Sequence, residues 1–111
     1  MMIYHDKIEK KEINPGVVWQ YLGKGKEMMV YHWNMADGSE VAMHTHDSEQ
    51  FGYCISGGFI IVEDGKKYQI GAGDAYIIPA NVPHSFVAVG DTEAIDIFHP
   101  LRTTLPDGTP A

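Results

Sequence analysis

The sequence predicts an all-β fold, a sandwich or barrel of short strands in a single domain spanning residues 1–111. Three observations carry the prediction. Apolar residues recur at short period and not at the three-and-four spacing of a helix. Turn residues interrupt them at close intervals, the pattern of an all-β architecture. No stretch has the length and pattern of a useful helix.

The elements follow in order. Val17 to Leu22 is an apolar and aromatic run, and Met28 to Met35 is a second. Val41 to His46, Gln50 to Ser56, Phe59 to Val62 and Lys67 to Ile70 come next. Ala75 to Ile78, Ser85 to Val89 and Ala94 to Phe98 complete the set. Between them stand Gly23 and Gly25, Asp37-Gly38, Gly57-Gly58, Asp64-Gly65, Gly71 and Gly73, Asn81, and Gly90-Asp91. These residues accept tight turns or positive φ. Pro79 and Pro83 fall just after a strand, where a missing N–H does least harm. Residues 103–111, TTLPDGTPA, read as a surface tail with a frayed end.

Composition narrows the function classes. A hydrophobic share of 44% is globular and not disordered. The net charge of −7 argues against nucleic acid or an anionic membrane as a partner, because both need a basic face. The lone Cys54 forms no internal disulfide, which fits a reducing compartment. Charges in the first twelve residues stand where a signal peptide has an apolar run, so a cytoplasmic location is expected.

The chemistry concentrates in two places. On a strand, residues i and i+2 share a face, so His44 and His46 present two imidazoles in one direction. A metal site needs further ligands, and the distant candidate is His84, after Pro79, Asn81 and Pro83. His5, His32 and His99 lack such a setting.

These residues resemble the cupin superfamily. Its first motif runs Gly, five residues, His-x-His, three or four residues, Glu, six residues, Gly. This chain has Gly38, five residues, His44-Thr-His46, three residues, Gln50, six residues and Gly57. The second motif runs Gly, five residues, Pro-x-Gly, two residues, His, three residues, Asn. Here it reads Gly73, five residues, Pro79-Ala-Asn81, two residues, His84, three residues and Ala88. Asn81 stands in place of Gly and also tolerates the left-handed region, while Ala88 replaces the motif's Asn. The resemblance implies a double-stranded β-helix (jelly-roll) barrel with motifs at 38–57 and 73–88, and a bound metal.

Either Glu49 or Gln50 can complete the ligand set. The motif's counts fall on Gln50, three residues after His46 and six before Gly57. Alternation agrees: Gln50, Gly52 and Cys54 share one face, and Phe51, Tyr53 and Ile55 form an opposite apolar row. Three imidazoles and one amide leave a divalent ion's charge uncompensated, so the site is a strong Lewis acid that attracts an anion. Mixed nitrogen and oxygen ligation suits Mn, Ni, Fe, Co or Zn without choosing among them.

The second place is the run AIDIFHPLR. Asp96 and Phe98 share a face, so that face is either solvent or the lining of a polar cavity. Together with the two motifs, Asp96, Phe98 and Arg102 make the region from Met28 to Arg102 resemble the KdgF-type cupins of pectin and alginate breakdown. That resemblance implies opening of 4,5-unsaturated monouronates. It also implies a metal on His44, His46, Gln50 and His84, and catalytic roles for Asp96, Arg102 and Phe98. Asp96 would serve as acid or base, Arg102 would clamp a carboxylate, and Phe98 would shape the pocket. Trp19, Tyr21, Tyr31 and Trp33 are candidate wall residues. Two other classes stay open: a three-histidine dioxygenase, and a non-catalytic cupin that binds a small ligand. The apolar outward row suggests a homodimer.

Overall fold

The computed structural model describes residues 1–111. Its ten strands are β1 (Lys11–Asn14), β2 (Val17–Lys24), β3 (Met29–Met35), β4 (Glu40–His44), β5 (Glu49–Ser56), β6 (Gly58–Glu63), β7 (Lys66–Gly71), β8 (Ala75–Ile78), β9 (His84–Ala88) and β10 (Thr92–His99). Nine of the ten match runs predicted from periodicity. The exception is β1, whose sequence KEIN offers almost no apolar alternation and whose residues are mostly exposed. It is an edge strand held by its pairing with β2.

The strands form two antiparallel sheets, a six-stranded sheet in the order β1-β2-β3-β10-β5-β8 and a four-stranded sheet in the order β4-β9-β6-β7. This is the predicted jelly-roll arrangement. Alternation decides which side chains enter it. Along β10, Thr92, Ala94, Asp96 and Phe98 are buried, while Glu93, Ile95 and Ile97 are half-buried on the outer face. Along β5, Gln50, Gly52 and Cys54 are buried, and Phe51, Tyr53 and Ile55 are exposed. The core joins both sheets through Trp19, Met29, Tyr31, Phe59, Phe86 and Phe98. Burying a side chain of this size stabilises the fold by roughly 1.5–3 kcal/mol.

Two sequence expectations change. β4 ends at His44, so His46 lies in the following loop and not on the strand. Residues 103–111 do not form a frayed end. Leu105 N–H donates to the Thr109 carbonyl at 2.8 Å, and Ala111 N–H donates to the Thr103 carbonyl at 3.1 Å. The side chain of Asp107 caps this small hairpin by accepting from Thr109 N–H at 3.0 Å. Leu105 packs on the core, and that anchor is what a reading based on proline and glycine content overlooks.

Gly57, the last residue of the first motif, has φ +74°, and a Cβ there would run into the Asp91 carbonyl and the Thr92 side chain. Thr92 Oγ1 itself accepts from Gly58 N–H at 3.1 Å. Gly57→Ala should therefore cost about 2–4 kcal/mol of unfolding free energy, read from denaturant melts. A shift below about 0.5 kcal/mol, the range of neutral surface changes, would show that the turn rearranges freely.

Candidate metal centre

His44 closes β4 and lies opposite His84, the first residue of β9, in the strand register. His46 comes from the loop beyond, which is tied down where Asn81 N–H donates to the His46 carbonyl at 2.8 Å. Asn81 has φ +65°, the left-handed conformation expected of it. Two loops and two strand ends thus bring the three rings together, with centroids 4.3–5.5 Å apart.

The hydrogen bonds settle the tautomers. His44 Nδ1 lies 2.8 Å from the Ala42 carbonyl. His46 Nδ1 lies 2.8 Å from the Ser48 carbonyl, and His84 Nδ1 lies 2.8 Å from the Val82 carbonyl. A carbonyl only accepts, so each Nδ1 carries the proton and each Nε2 presents a lone pair. The ligating nitrogens fall within 4.8 Å of one another. His84 Nε2 is buried and has no hydrogen-bond partner. Burial also favours the neutral form of each ring, depressing His44 and His46 and holding His84 down to about 4.

Gln50 completes the group. It is 3% exposed and its Oε1 lies 3.0 Å from His46 Nε2. Both atoms are acceptors when His46 carries its proton on Nδ1. Two acceptors in contact, beside a third orphaned one, are the signature of a cation site. A divalent transition ion fits this nitrogen and oxygen donor set. Glu49 is exposed and takes no part.

Asp96 holds the other side of Gln50. Its carboxylate is buried, accepting from Trp33 Nε1–H at 2.8 Å and from the Tyr76 hydroxyl at 2.7 Å. Gln50, whose amide oxygen faces His46, also favours the charged form of this carboxyl. Burial pushes the Asp96 carboxyl up to about 6 against the pull of these donors. Sequence reasoning missed Tyr76. Its signal was positional: Tyr76 pairs with Gly52, and Gly52 pairs with Asp96. A Cβ at Gly52 would overlap the Tyr76 ring, so the absent side chain is what lets the tyrosine reach across β5.

A cavity of about 340 Å³ opens beside this group, with His44, Gln50, Tyr76, Asp96, Phe98 and Arg102 among its lining residues. The face bearing Asp96 therefore lines a cavity and not solvent, and that cavity sets a few polar groups among mainly apolar walls. Arg102 stacks its guanidinium 5.5 Å from the Phe98 ring centroid. No carboxylate of the chain lies within 4.0 Å of it. Of the four predicted wall aromatics, Trp33 lines the cavity, whereas Trp19, Tyr21 and Tyr31 pack in and around the core. Cys54 is buried, with its thiol 3.4 Å from the Ser56 carbonyl, and is not part of the lining.

Comparison with known proteins agrees with this geometry. A family model described as a cupin domain matches residues 31–98. The pectin degradation protein KdgF of Dickeya dadantii is 30% identical over 95 residues, covering 76% of this chain and 86% of that protein. An H2HPP isomerase of Bacillus subtilis is 32% identical over 68 residues, 60% of this chain and 29% of that protein. The solved structure of KdgF from a Halomonas species superposes with a TM-score of 0.85 at 25% identity, covering 92% of this chain and 94% of that one. An RmlC-like cupin from Shewanella frigidimarina gives 0.82 at 30% identity, with 88% of each chain covered.

The lone-pair geometry predicts one divalent transition ion per chain. At a hundred times its dissociation constant, that ion should add about 2.7 kcal/mol to the unfolding free energy. Chelation should remove the gain, and His84→Ala should abolish stoichiometric binding in calorimetry. An unchanged isotherm for His84→Ala would contradict the ligand set.

Proposed function

The chain belongs to the cupin family, and from that membership we propose that it is a metal-dependent enzyme opening 4,5-unsaturated monouronates, the products of pectin or alginate cleavage. One observation carries the reading. A cavity that faces an uncharged ligand set also holds an unpaired guanidinium, Arg102, and a buried carboxylate, Asp96. Acid–base chemistry on an anion needs that combination, and it fits oxygen activation less well. Relatives point the same way, since both a pectin degradation protein and a KdgF structure resemble this chain along most of its length.

In this reading His44, His46, Gln50 and His84 hold the ion, which supplies Lewis acidity to a substrate oxygen. Arg102 receives the substrate carboxylate as a bidentate partner, pre-aligned by its stacking on Phe98. Phe98 also bounds the space beside the ring. The reaction itself is an isomerisation. The proton of the anomeric hydroxyl leaves, the bond between the ring oxygen and the anomeric carbon breaks, and the released enol takes up a proton on carbon. No atom is gained or lost, and no oxidant is needed. Asp96 moves the proton, held in place by Trp33 and Tyr76.

We propose further that two copies pair through the outer face of the six-stranded sheet. Phe51, Tyr53, Ile55 and Ile77 are each more than 40% exposed there. A contiguous apolar patch of this kind marks an interaction site.

Two measurements check these readings. Protein loaded with metal should accelerate the loss of ultraviolet absorbance from the conjugated double bond in a pectate or alginate lyase digest. Arg102→Ala should lower kcat/KM by about tenfold to a hundredfold, and Gln50→Glu should retain metal yet turn over more slowly. A spontaneous rate with fully metallated protein would sink the activity. For assembly, light scattering should give twice the mass of one chain, with a Phe51→Glu, Ile77→Glu double variant reverting to a single chain. A monomeric parent protein would refute the pairing.

A further inference from the structure

Two polar side chains meet at the Phe98 ring. Arg102 places its guanidinium 5.5 Å from the ring centroid, and Tyr31 packs its own ring 4.7 Å away at 52°. The backbone brings them together. Met29 and Tyr31 are alternate residues of β3, both fully buried, and they pair in register with Phe98 and Asp96 of β10. Arg102 N–H donates to the Met29 sulfur at 3.1 Å, so the C-terminal segment is fastened to this part of β3. Arg102 lines the cavity, whereas Tyr31 is buried outside the lining.

The Tyr31 hydroxyl is the anomaly. It is buried and has no hydrogen-bond partner. A phenylalanine would fill the same space among Trp19, Tyr21, Trp33 and Phe98 without leaving an unsatisfied group. Packing therefore accounts for the ring but not for the oxygen. Phe98 has no polar atom to offer it, and the Trp33 indole N–H is committed to Asp96. The cation that acts on the phenol is Arg102. Burial pushes Tyr31 up to about 12, and the guanidinium pulls against that rise. An arginine only donates, and a phenol oxygen can accept.

We infer that Tyr31 is the positioning residue for Arg102: when a carboxylate enters the cavity, the buried hydroxyl accepts one guanidinium N–H and turns the free edge of the fork toward the ligand. The inference rests on the proposed activity and deepens it. Stacking on Phe98 fixes the plane of the guanidinium but not its rotation within that plane, because a ring face attracts the cation whichever way its edges point. A two-pronged contact with a carboxylate depends on that rotation. The hydroxyl supplies the missing constraint from a place the substrate does not touch. With Met29 on the backbone, Phe98 on the plane and Tyr31 on the rotation, the fork has one direction left in which to meet an anion.

The test uses Tyr31→Phe, Arg102→Ala and the double variant, each as metal-loaded full chain. Tyr31→Phe keeps the ring and removes only the hydroxyl, so its melting temperature should not fall. Galacturonate binding, read by calorimetry, should weaken by about tenfold. In turnover of the unsaturated monouronate, KM should rise by a similar factor while kcat stays within about twofold, since the contact serves ground state and transition state alike. In the Arg102→Ala background the same change should have no further effect on binding or on kcat/KM, because the fork it aims is gone. A merely structural tyrosine would instead move stability and act equally in both backgrounds. Parent-like affinity in Tyr31→Phe, or an equal loss in both backgrounds, would overturn the positioning role. Failure of the activity reading would look different: the parent would bind galacturonate and turn over nothing, and the binding cycle alone would decide the role of Tyr31. A parent that binds no galacturonate takes the carboxylate role from Arg102, and the positioning role of Tyr31 falls with it.

Discussion

Three backbone carbonyls govern this molecule. Those of Ala42 and Val82 take the Nδ1 proton of the histidine two residues on, that of Ser48 takes it from His46 two residues back, and all three Nε2 lone pairs are thereby turned inward. Without those bonds the imidazoles could choose the other tautomer and satisfy one another. With them, acceptor faces acceptor, and His84 Nε2 is buried with nothing to bond. An unsatisfied buried polar atom costs roughly 1–3 kcal/mol. The barrel sustains that cost because each bond spans only two residues and is fixed by the local turn, while the register of β4 with β9 holds His44 against His84. A cation at the focus of the lone pairs turns the same arrangement from a destabilising one into a stabilising one.

Charge follows from that arrangement. The side of the cavity that bears the histidines is neutral, because burial favours the unprotonated imidazoles and the side chain facing His46, Gln50, is an amide. The chain as a whole carries −7, yet the cavity offers an unpaired guanidinium. The cavity therefore carries a local positive feature that opposes the overall charge. A negative net charge therefore still leaves room for a small acid that meets one arginine, because such a ligand needs no broad basic face.

Periodicity exposed most of this, and its failures have physical causes. Alternation placed Gln50 inside and Glu49 outside, and it left Asp96 between solvent and cavity, which packing resolved in favour of the cavity. His46 was assigned to a strand that stops two residues earlier. A spacing of two puts ligands on one face of a strand, but a tight loop can do the same. β1 escaped notice because an exposed edge strand buries too little to leave an apolar pattern. The hairpin at residues 103–111 escaped because proline and glycine mark an ordered turn as readily as a frayed end. Its order depends on Leu105 packing against the core and on Asp107 meeting Lys11, 96 positions earlier. Tyr76 was hidden for a related reason: its importance comes from the missing side chain of Gly52, and only the register reveals that the two are neighbours.

The choice of an amide at position 50 now has a reason beyond charge. In the proposed ligand set the side chain there gains nothing by accepting from Asp96, since a carboxylate has no hydrogen to give, and would offer an electron pair to the ion. A glutamate can do the second but would set one buried carboxylate against another, and like charges at that distance force one of them to protonate. Glutamine carries amide hydrogens as well as an oxygen, so it can face His46 and still favour the charged form of Asp96 without conflict. Trp33 and Tyr76 then fill positions on the two oxygens of Asp96 and fix its plane. Orientation therefore runs from the tryptophan and tyrosine to the carboxylate, and in the same cavity wall the amide oxygen faces His46. Changing position 50 to the acid usual in the motif would therefore bear on Asp96 as well as on the histidines, because both side chains are buried in the wall of the same cavity.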